Sequence, residues 1–180
     1  GAPINSGNGI GSGHVRVYSW SGTAWNQMGV DIDGEYEEDG SGWTVSLSSD
    51  GSILAIGART NDGNGSASGH VRVYSWSGAA WVQLGSDIDG EAANDYSGYS
   101  VSLSSDGNRL AIGAYGNDEN GNESGHVRVY SWSGTAWDQL GSDIDGESEG
   151  DESGNPVSLS SDGTTVAIGA QFNDGNGEWS

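Results

Sequence analysis

The chain has 180 residues, of which 26 are acidic and only five are basic, so its formal net charge is −21. Binding to nucleic acid or to anionic membranes depends on basic side chains, and this charge argues against both as partners. The absence of cysteine excludes disulfides and thiolate metal sites, and no apolar run reaches the ~18 residues that a membrane-spanning helix requires.

An eight-residue stretch, GHVRVYSW, recurs unchanged along the chain, starting at Gly13, Gly69 and Gly125. The spacing is 56 residues both times (69 − 13 and 125 − 69). It predicts three repeats in register, at 13–68, 69–124 and 125–180, and residues 1–12 align with the tail of a preceding repeat. Repeats of this kind bury a core only by stacking on their neighbours. The chain begins with Gly1 and not with an initiator methionine, so we expect that it is processed, excised or part of something longer.

Each repeat begins with a predicted β-hairpin. Residues 14–20 alternate in polarity, which is typical of a strand with one buried face. The turn Ser21-Gly22 then leads to a second predicted strand at 23–28. The acidic connector that follows, at 31–42, has few apolar residues and many turn formers, so it is predicted to be a loop.

The second half of each repeat is more apolar. Residues 43–47 alternate again, the turn Ser49-Asp50-Gly51 follows, and residues 53–58 form a continuous apolar run. Such a run is typical of a strand buried on both faces. No helical period appears anywhere, so the predicted fold class is all-β, with four-stranded antiparallel repeats of 56 residues. A propeller, or another radial or stacked β-repeat, fits this pattern.

The segment from Ser97 to Trp132 resembles the FG-GAP repeat, the blade unit of integrin α-subunit β-propellers and of related bacterial and algal extracellular proteins. Its marks are a glycine before the innermost strand (Gly42, Gly98, Gly154), a Gly-Ala pair after the apolar run (Gly57-Ala58, Gly113-Ala114, Gly169-Ala170) and a literal Gly-Ala-Pro at Gly1-Ala2-Pro3. The resemblance implies propeller-type blades and an extracellular or cell-surface location.

The sequence departs from this family in two places. Serine replaces the phenylalanine of the Phe-Gly pair at Ser41, Ser97 and Ser153. The hairpin before the apolar run is also too short to hold the calcium loop of integrin-type blades, so the family's calcium site is not transferred to it.

The resemblance also implies the order of strands from the propeller axis outward. Blades then run from 43 to about 84 and from 99 to about 140, residues 1–28 supply only the outer two strands of a blade, and residues 155–172 supply only the inner two. Three blades are too few for a closed ring, since known propellers have about four to eight. The two half-blades are complementary, so we expect one copy to pair with the next by strand addition.

Six apolar residues mark the strands that would take part in this self-assembly: Val15, Val17, Val157, Leu159, Val166 and Ile168. If the rotation between copies closes, two copies give a six-bladed ring; if it does not, a filament grows. The alternative is that neighbouring repeats of one longer chain complete the half-blades covalently.

The connectors carry the candidate metal ligands, with three aspartates at matched positions in each: Asp31, Asp33 and Asp39; Asp87, Asp89 and Asp95; Asp143, Asp145 and Asp151. Carboxylates crowded on a glycine-containing loop suit Ca²⁺, the candidate cofactor. The other interpretation, which we favour, is that they cap turns and pair with the repeated arginine of the first strand, at Arg16, Arg72 and Arg128.

Two further repeated features have a structural interpretation and a functional one. His14, His70 and His126 occupy one strand position, which favours a structural role over catalysis or zinc binding. The repeated tryptophans are typical of packing between blades, with glycan stacking as the alternative. Asn64 and Asn122 begin N-glycosylation sequons and are candidate glycan acceptors if the chain is secreted.

No catalytic motif accompanies the repeats, and we therefore expect that the protein is not an enzyme. The function predicted from the sequence is that of an extracellular structural or adhesive module that self-assembles into a filament or surface array. The alternative is a propeller that binds glycans or a protein with the help of calcium.

Overall fold

The computed structural model describes residues 1–175, and within them every regular element is a β-strand, which confirms the all-β fold class. The chain opens with an N-terminal half-sheet made of four short strands: β1 (His14–Val15), β2 (Tyr18–Trp20), β3 (Trp25–Gln27) and β4 (Ile32–Asp33). β1 pairs with β4, and β2 pairs with β3, both antiparallel. The two pairs correspond to the outer part of one blade.

Two complete five-stranded antiparallel sheets follow. The first full sheet contains β5 (Thr44–Leu47), β6 (Ile53–Ala58), β7 (His70–Trp76), β8 (Trp81–Gln83) and β9 (Ile88–Asp89). The second full sheet contains β10 (Ser100–Leu103), β11 (Arg109–Ala114), β12 (His126–Trp132), β13 (Trp137–Gln139) and β14 (Ile144–Asp145). In each, the first four strands pair in chain order, and the fifth pairs with the beginning of the third.

A C-terminal half-sheet closes the described part of the chain. It consists of β15 (Ser153–Leu159) and β16 (Val166–Ala170), which pair with each other. These are the inner two strands of a blade, so every sheet draws its inner strands from one sequence repeat and its outer strands from the next. In residues 1–175 the four units form an open stack with a different half missing at each end.

The connectors differ from the sequence prediction, because a short strand lies inside each predicted loop. β4, β9 and β14 are these strands, each only two residues long. Ile32 is buried where it pairs with Val15 of β1, and Ile88 is buried where it pairs with Val71 of β7. An element of two residues is too short to show a period of two, and the sequence pattern therefore could not reveal it.

The core consists of three apolar layers between successive sheets. One layer joins the N-terminal half-sheet to the first full sheet through Val15, Val17, Ile32, Leu54, Ile56 and Tyr74. A second joins the two full sheets, and a third places Val157 of the C-terminal half-sheet against Ala111 and Val127. Leu54 and Ile56 therefore face one neighbour while Ala55 faces the other, as expected for an apolar run buried on both faces.

The sheets approach one another most closely at the Gly-Ala pairs. A Cβ on Gly57 would collide with the carbonyl oxygen of Gly98 in the next sheet, and one on Gly113 would collide with that of Gly154. Backbone hydrogen bonds also cross the stack, from Ser49 N–H to the Ser105 carbonyl and from Ser105 N–H to the Ser161 carbonyl, both 2.9 Å. Only glycine permits backbones to meet at this distance, which explains its recurrence at these two positions.

Candidate functional site

The most unusual surface of the molecule is at the two ends of the stack, where residues buried elsewhere are exposed. Tyr18 of the N-terminal half-sheet is 46% exposed, whereas the equivalent Tyr74 and Tyr130 are 7% and 6% exposed. At the other end Ile144 is 40% exposed, against 8% for the equivalent Ile88. Equivalent positions thus differ in exposure because, among residues 1–175, no neighbouring strand or sheet covers Tyr18 or Ile144.

Within residues 1–175, β2 at one end and β16 at the other each leave one strand edge unpaired. In the full sheets, the N–H groups of Trp76 and Trp132 donate to the carbonyls of Ser52 and Asn108, next to the second strand. In the N-terminal half-sheet the corresponding N–H, on Trp20, faces an open edge, and β2 pairs only with β3 in the described part of the chain. β16 likewise pairs only with β15 among residues 1–175. Open edges of this kind are templates for strand addition.

Tryptophans of the fourth strand in each full sheet form hydrogen bonds with the preceding sheet. The indole N–H of Trp81 donates to the carbonyl of Met28 at 3.0 Å, and that of Trp137 donates to the carbonyl of Leu84 at 2.9 Å. Trp25, the equivalent residue at the N-terminal end, is 66% exposed. The repeated tryptophans therefore pack between sheets, as the structural interpretation predicted.

The nine candidate aspartates lie in three different environments. The aspartates at the first position are half-buried and lie beside a histidine or an arginine. For example, Arg16 Nη2 lies 2.7 Å from Asp31 Oδ2. Those at the second position, represented by Asp33, are exposed. Those at the third position are buried: Asp39, Asp95 and Asp151.

The buried aspartates cap turns inside the connectors. Asp39 accepts hydrogen bonds from the backbone N–H of Tyr36 at 2.9 Å and from the side-chain amide of Asn61 at 3.0 Å. Asp95 accepts from the N–H groups of Glu91 and Ala92 in the same way. The structure therefore does not bring the three aspartates of one connector together, and a different set of residues converges instead.

The converging set combines the repeated histidine and the first connector aspartate with the glutamate of the preceding connector. Two such clusters occur within residues 1–175: Glu35, His70 and Asp87; and Glu91, Glu119, His126 and Asp143. Arg72 and Arg128 lie beside them, donating to the backbone carbonyls of Asp33 and Asp89 at 2.9 and 2.7 Å. The shared strand position of these histidines favoured a structural role, and the clusters were not predicted from the sequence.

The histidines at these clusters are deeply buried. Burial, and secondarily the positive charge of Arg128, lowers the pKa of His126; burial and Arg72 lower that of His70. Burial also raises the pKa of Glu91 and Glu35, despite the attraction of Arg128 and Arg72. The clusters are therefore places where charged groups have lost hydration, a common property of functional sites.

The two candidate glycan acceptors have different surroundings. The side-chain amide of Asn64 donates to the backbone carbonyls of Gly90 and Glu91, at 2.9 and 3.1 Å. Asn122 lies on the surface, and its backbone carbonyl accepts a hydrogen bond from Gly150. Of the two sequons, the one at Asn122 is the more accessible to modification.

An aromatic cluster lies on one side of the stack. It was not predicted from the sequence. The guanidinium of Arg59 lies 3.8 Å from the ring centroid of Trp43, and Tyr96 stacks on Tyr115 with centroids 5.2 Å apart. Tyr99 contacts both Trp43 and Tyr115. These residues differ among the repeats, so their convergence depends on the packing of neighbouring sheets.

The Ser-Asp-Gly turns predict how stability depends on acid. Asp50 accepts hydrogen bonds from the Ser48 hydroxyl and from the N–H and hydroxyl of Ser52, which lower its pKa from 3.8 to about 2; Asp162 is lowered to about 2 in the same way. A carboxylate with a lowered folded pKa stabilises the fold above its unfolded value and loses this effect as pH falls. We expect stability to fall between about pH 4 and pH 2.

The measurement is urea denaturation at pH 5 and pH 2.5 for the wild type and for Asp50→Asn with Asp162→Asn. The double variant should lose less stability between the two values, because its amides do not titrate. The control is Asp138→Asn, which removes an exposed carboxylate from the third repeat. An equal loss in the double variant and the wild type would contradict the prediction.

Comparisons with known proteins agree with this architecture. Residues 87–130, from the connector strand β9 into β12, match the family model of the FG-GAP repeat. No curated protein matches the chain. Across residues 1–175 no helix has the length and apolar character needed to cross a membrane. The family match confirms, for residues 87–130, the resemblance to the FG-GAP repeat found in the sequence.

Proposed function

We propose that this protein is a non-catalytic, extracellular structural or adhesive module that self-assembles by joining the C-terminal half-sheet of one copy to the N-terminal half-sheet of the next. The observation that carries the proposal is the complementarity of the two ends. One end has only the outer strands of a blade, and the other has only the inner strands. In this proposal, a second copy of this chain occupies each open edge.

The internal repeat specifies the register of the proposed contact. In the second full sheet, Leu110 pairs with Tyr130 and Ile112 pairs with Arg128. The residues equivalent to the first member of each pair lie 56 positions later, in the C-terminal half-sheet of one copy. Those equivalent to the second member lie 112 positions earlier, in the N-terminal half-sheet of the other copy. Val166 would therefore pair with Tyr18, and Ile168 with Arg16. These edges would therefore meet with the same side chains, or conservative replacements, that already pair inside the molecule.

The side chains flanking this contact also have internal precedents. Trp25 of one copy would donate its indole N–H to the carbonyl of Leu140 in the other, because Trp81 and Trp137 donate at the same spacing to Met28 and Leu84. Leu140 is 38% exposed in the single chain. Its burial under Trp25, together with that of Tyr18 and Ile144, adds apolar contact area to the strand pairing.

One feature of the N-terminal end limits how fast this joining proceeds. Ala2 already pairs with His14, donating to its carbonyl at 2.8 Å and accepting from its N–H at 3.2 Å. The same position opposite His14 would be taken by Ala170 of the incoming copy, since Ala58 and Ala114 pair there in the full sheets. Residues 1–3 of the acceptor, or 169–170 of the incoming strand, must therefore move aside, and we expect slow association.

Sedimentation velocity over a range of protein and salt concentrations tests the proposal. The mass should rise with protein concentration, and it should rise further at 0.5 M than at 0.02 M sodium chloride. The formal charge of −21 on each copy opposes association, and salt screens this repulsion because the Debye length falls from about 20 Å to about 4 Å. EDTA should leave the mass unchanged.

Electron microscopy of the associated material distinguishes closed rings from filaments. Val15 and Val17 are poor positions for disrupting the contact, since both belong to the core of the single chain. A chain that stays monomeric at every concentration and salt level would overturn the self-assembly proposal.

The second candidate function is binding of a glycan or protein ligand, assisted by calcium. The observation that favours it is the aromatic cluster of Trp43, Tyr96, Tyr99 and Tyr115 with Arg59, because exposed aromatic faces stack on sugar rings and side chains. Trp43 is 41% exposed and lines a cavity with Pro3 and Ile4. A persistent monomer in the association experiment would make this surface the functional one.

A further inference from the structure

We propose that Glu91, Glu119, His126 and Asp143 form a binding site for a first-row divalent transition metal such as Zn²⁺, bridging the two full sheets. One potential ligand atom from each of these residues lies within 4.8 Å of all the others. This site differs from the aspartate triplets of the connectors, since it takes one aspartate from a connector and adds a nitrogen ligand.

The side chain of His126 is the observation that points to a ligand. It is only 1% exposed, and neither of its ring nitrogens has a hydrogen-bond partner in the described structure. Its Nδ1 lies 3.4 Å from Asp143 Oδ2 and 3.9 Å from Glu91 Oε2. A buried nitrogen without a partner is costly, and an ion between it and the two carboxylates would satisfy it.

The charges around the site suit a divalent cation. Glu91, Glu119 and Asp143 supply three negative charges, and Arg128 supplies one positive charge through Nη1, 3.5 Å from Glu91 Oε1. These four groups sum to −2, which balances the +2 charge of the ion. A ligand set of one imidazole and three carboxylates favours Zn²⁺ or Mn²⁺ over Ca²⁺, which prefers oxygen ligands alone.

The four ligands come from four segments of the stack. Glu91 follows β9 of the first full sheet, whereas His126 and Asp143 belong to the second full sheet. Glu119 lies in the loop between β11 and β12 of the second full sheet. A bound metal would therefore cross-link successive sheets, and binding to the folded state alone would raise the melting temperature.

The repeat supplies matched variants for testing the site. At the position of Glu119 the first repeat has Gly63, beside the three-residue cluster of Glu35, His70 and Asp87. Gly63 and Glu119 occupy the same turn, in which their N–H groups donate to Asn61 and Asn117, so a side chain is tolerated there. Glu119→Gly should thus weaken the site, and Gly63→Glu should create a second one.

Isothermal titration calorimetry of the full chain with Zn²⁺, Mn²⁺ and Ca²⁺, each alone, tests this proposal. We expect one saturable Zn²⁺ site that Glu119→Gly and Glu119→Gln weaken by about tenfold or more. Gly63→Glu should give a second site of similar affinity. The control is Glu147→Gln, which removes the same charge from the glutamate equivalent to Glu91 in the next connector, outside the four-residue cluster, and it should bind Zn²⁺ like the wild type.

Two further readouts separate ligation from general attraction to acidic groups. The ring resonances of His126 should shift on addition of Zn²⁺, and the melting temperature should rise in the wild type but less in Glu119→Gln. The proposal is wrong if Glu119→Gln and Glu147→Gln bind Zn²⁺ equally, if the His126 resonances do not respond, or if Ca²⁺ binds more tightly than Zn²⁺.

Discussion

Replacing Tyr18 by proline is expected to abolish association between copies while leaving the single chain folded. In the full sheets the N–H groups of Trp76 and Trp132 point toward the second strand, and the antiparallel ladder repeats this direction every second residue. The N–H of Tyr18 therefore points at the open edge. Proline removes this N–H, and edge strands tolerate proline because no internal hydrogen bond is lost.

The expected result is a mass that stays at that of one chain at concentrations where the wild type associates. Tyr18→Val is the matched control, since it keeps the N–H and removes only the aromatic ring. It should associate more weakly than the wild type but more strongly than Tyr18→Pro. Circular dichroism of all three chains checks that the fold is retained. Association of Tyr18→Pro at the wild-type level would show that the copies do not join by strand addition at this edge.

The second large effect is expected from Trp137→Ala, which should destabilise the single chain by about 2 to 4 kcal/mol. Trp137 packs against the core between the two full sheets, and its indole N–H donates to the carbonyl of Leu84 at 2.9 Å. Truncation leaves a cavity between the sheets and an acceptor without its donor. In a stacked repeat, each interface contributes directly to the stability of the whole array.

The equivalent change at the open end provides the internal control. Trp25→Ala removes a residue that is 66% exposed, and we expect it to cost about 1 kcal/mol or less. Both residues pair with the facing tryptophan of the third strand, at centroid distances of 5.5 Å for Trp25 and 5.4 Å for Trp137. The difference between the variants therefore measures the contact between sheets.

Urea denaturation followed by circular dichroism gives both values without depending on tryptophan fluorescence. If assembly proceeds as proposed, Trp25→Ala should also weaken association, because its acceptor is Leu140 of another copy. Equal destabilisation by the two variants in the monomer would mean that packing between sheets does not account for the effect of Trp137.

The different environments of the connector aspartates could not be predicted from the sequence. The nine aspartates look equivalent in the repeat, yet the fold buries Asp39 as a turn cap, leaves Asp33 exposed and directs Asp87 toward a histidine. Main-chain geometry around each turn separates residues that are adjacent in sequence. The cluster at His126 draws on residues from 91 to 143, and no local motif joins positions so far apart.

The sequence by itself determined the 56-residue period and most of the strands, and its resemblance to the FG-GAP repeat predicted a half-blade at each end. The period and the strands are local properties, since they follow from polarity alternating every second residue and from turn residues at fixed positions. The tertiary structure alone decided which strands are continuous. The same sequence, HVRVYSW, forms an unbroken strand at His70–Trp76 and at His126–Trp132. There the second strand of the sheet, β6 or β11, pairs along its length.

At residues 14–20 the same sequence forms two short strands, β1 and β2, because in the described part of the chain no second strand pairs along its length. The burial of the repeated tyrosine and arginine of this strand also depends on the neighbouring sheet. Arg16 binds Asp31 at the surface, whereas Arg72 is buried against the preceding connector. A strand supplies only half of the hydrogen bonds and apolar contacts that stabilise it. The rest comes from whichever sheet lies beside it, and that is a property of the assembled stack.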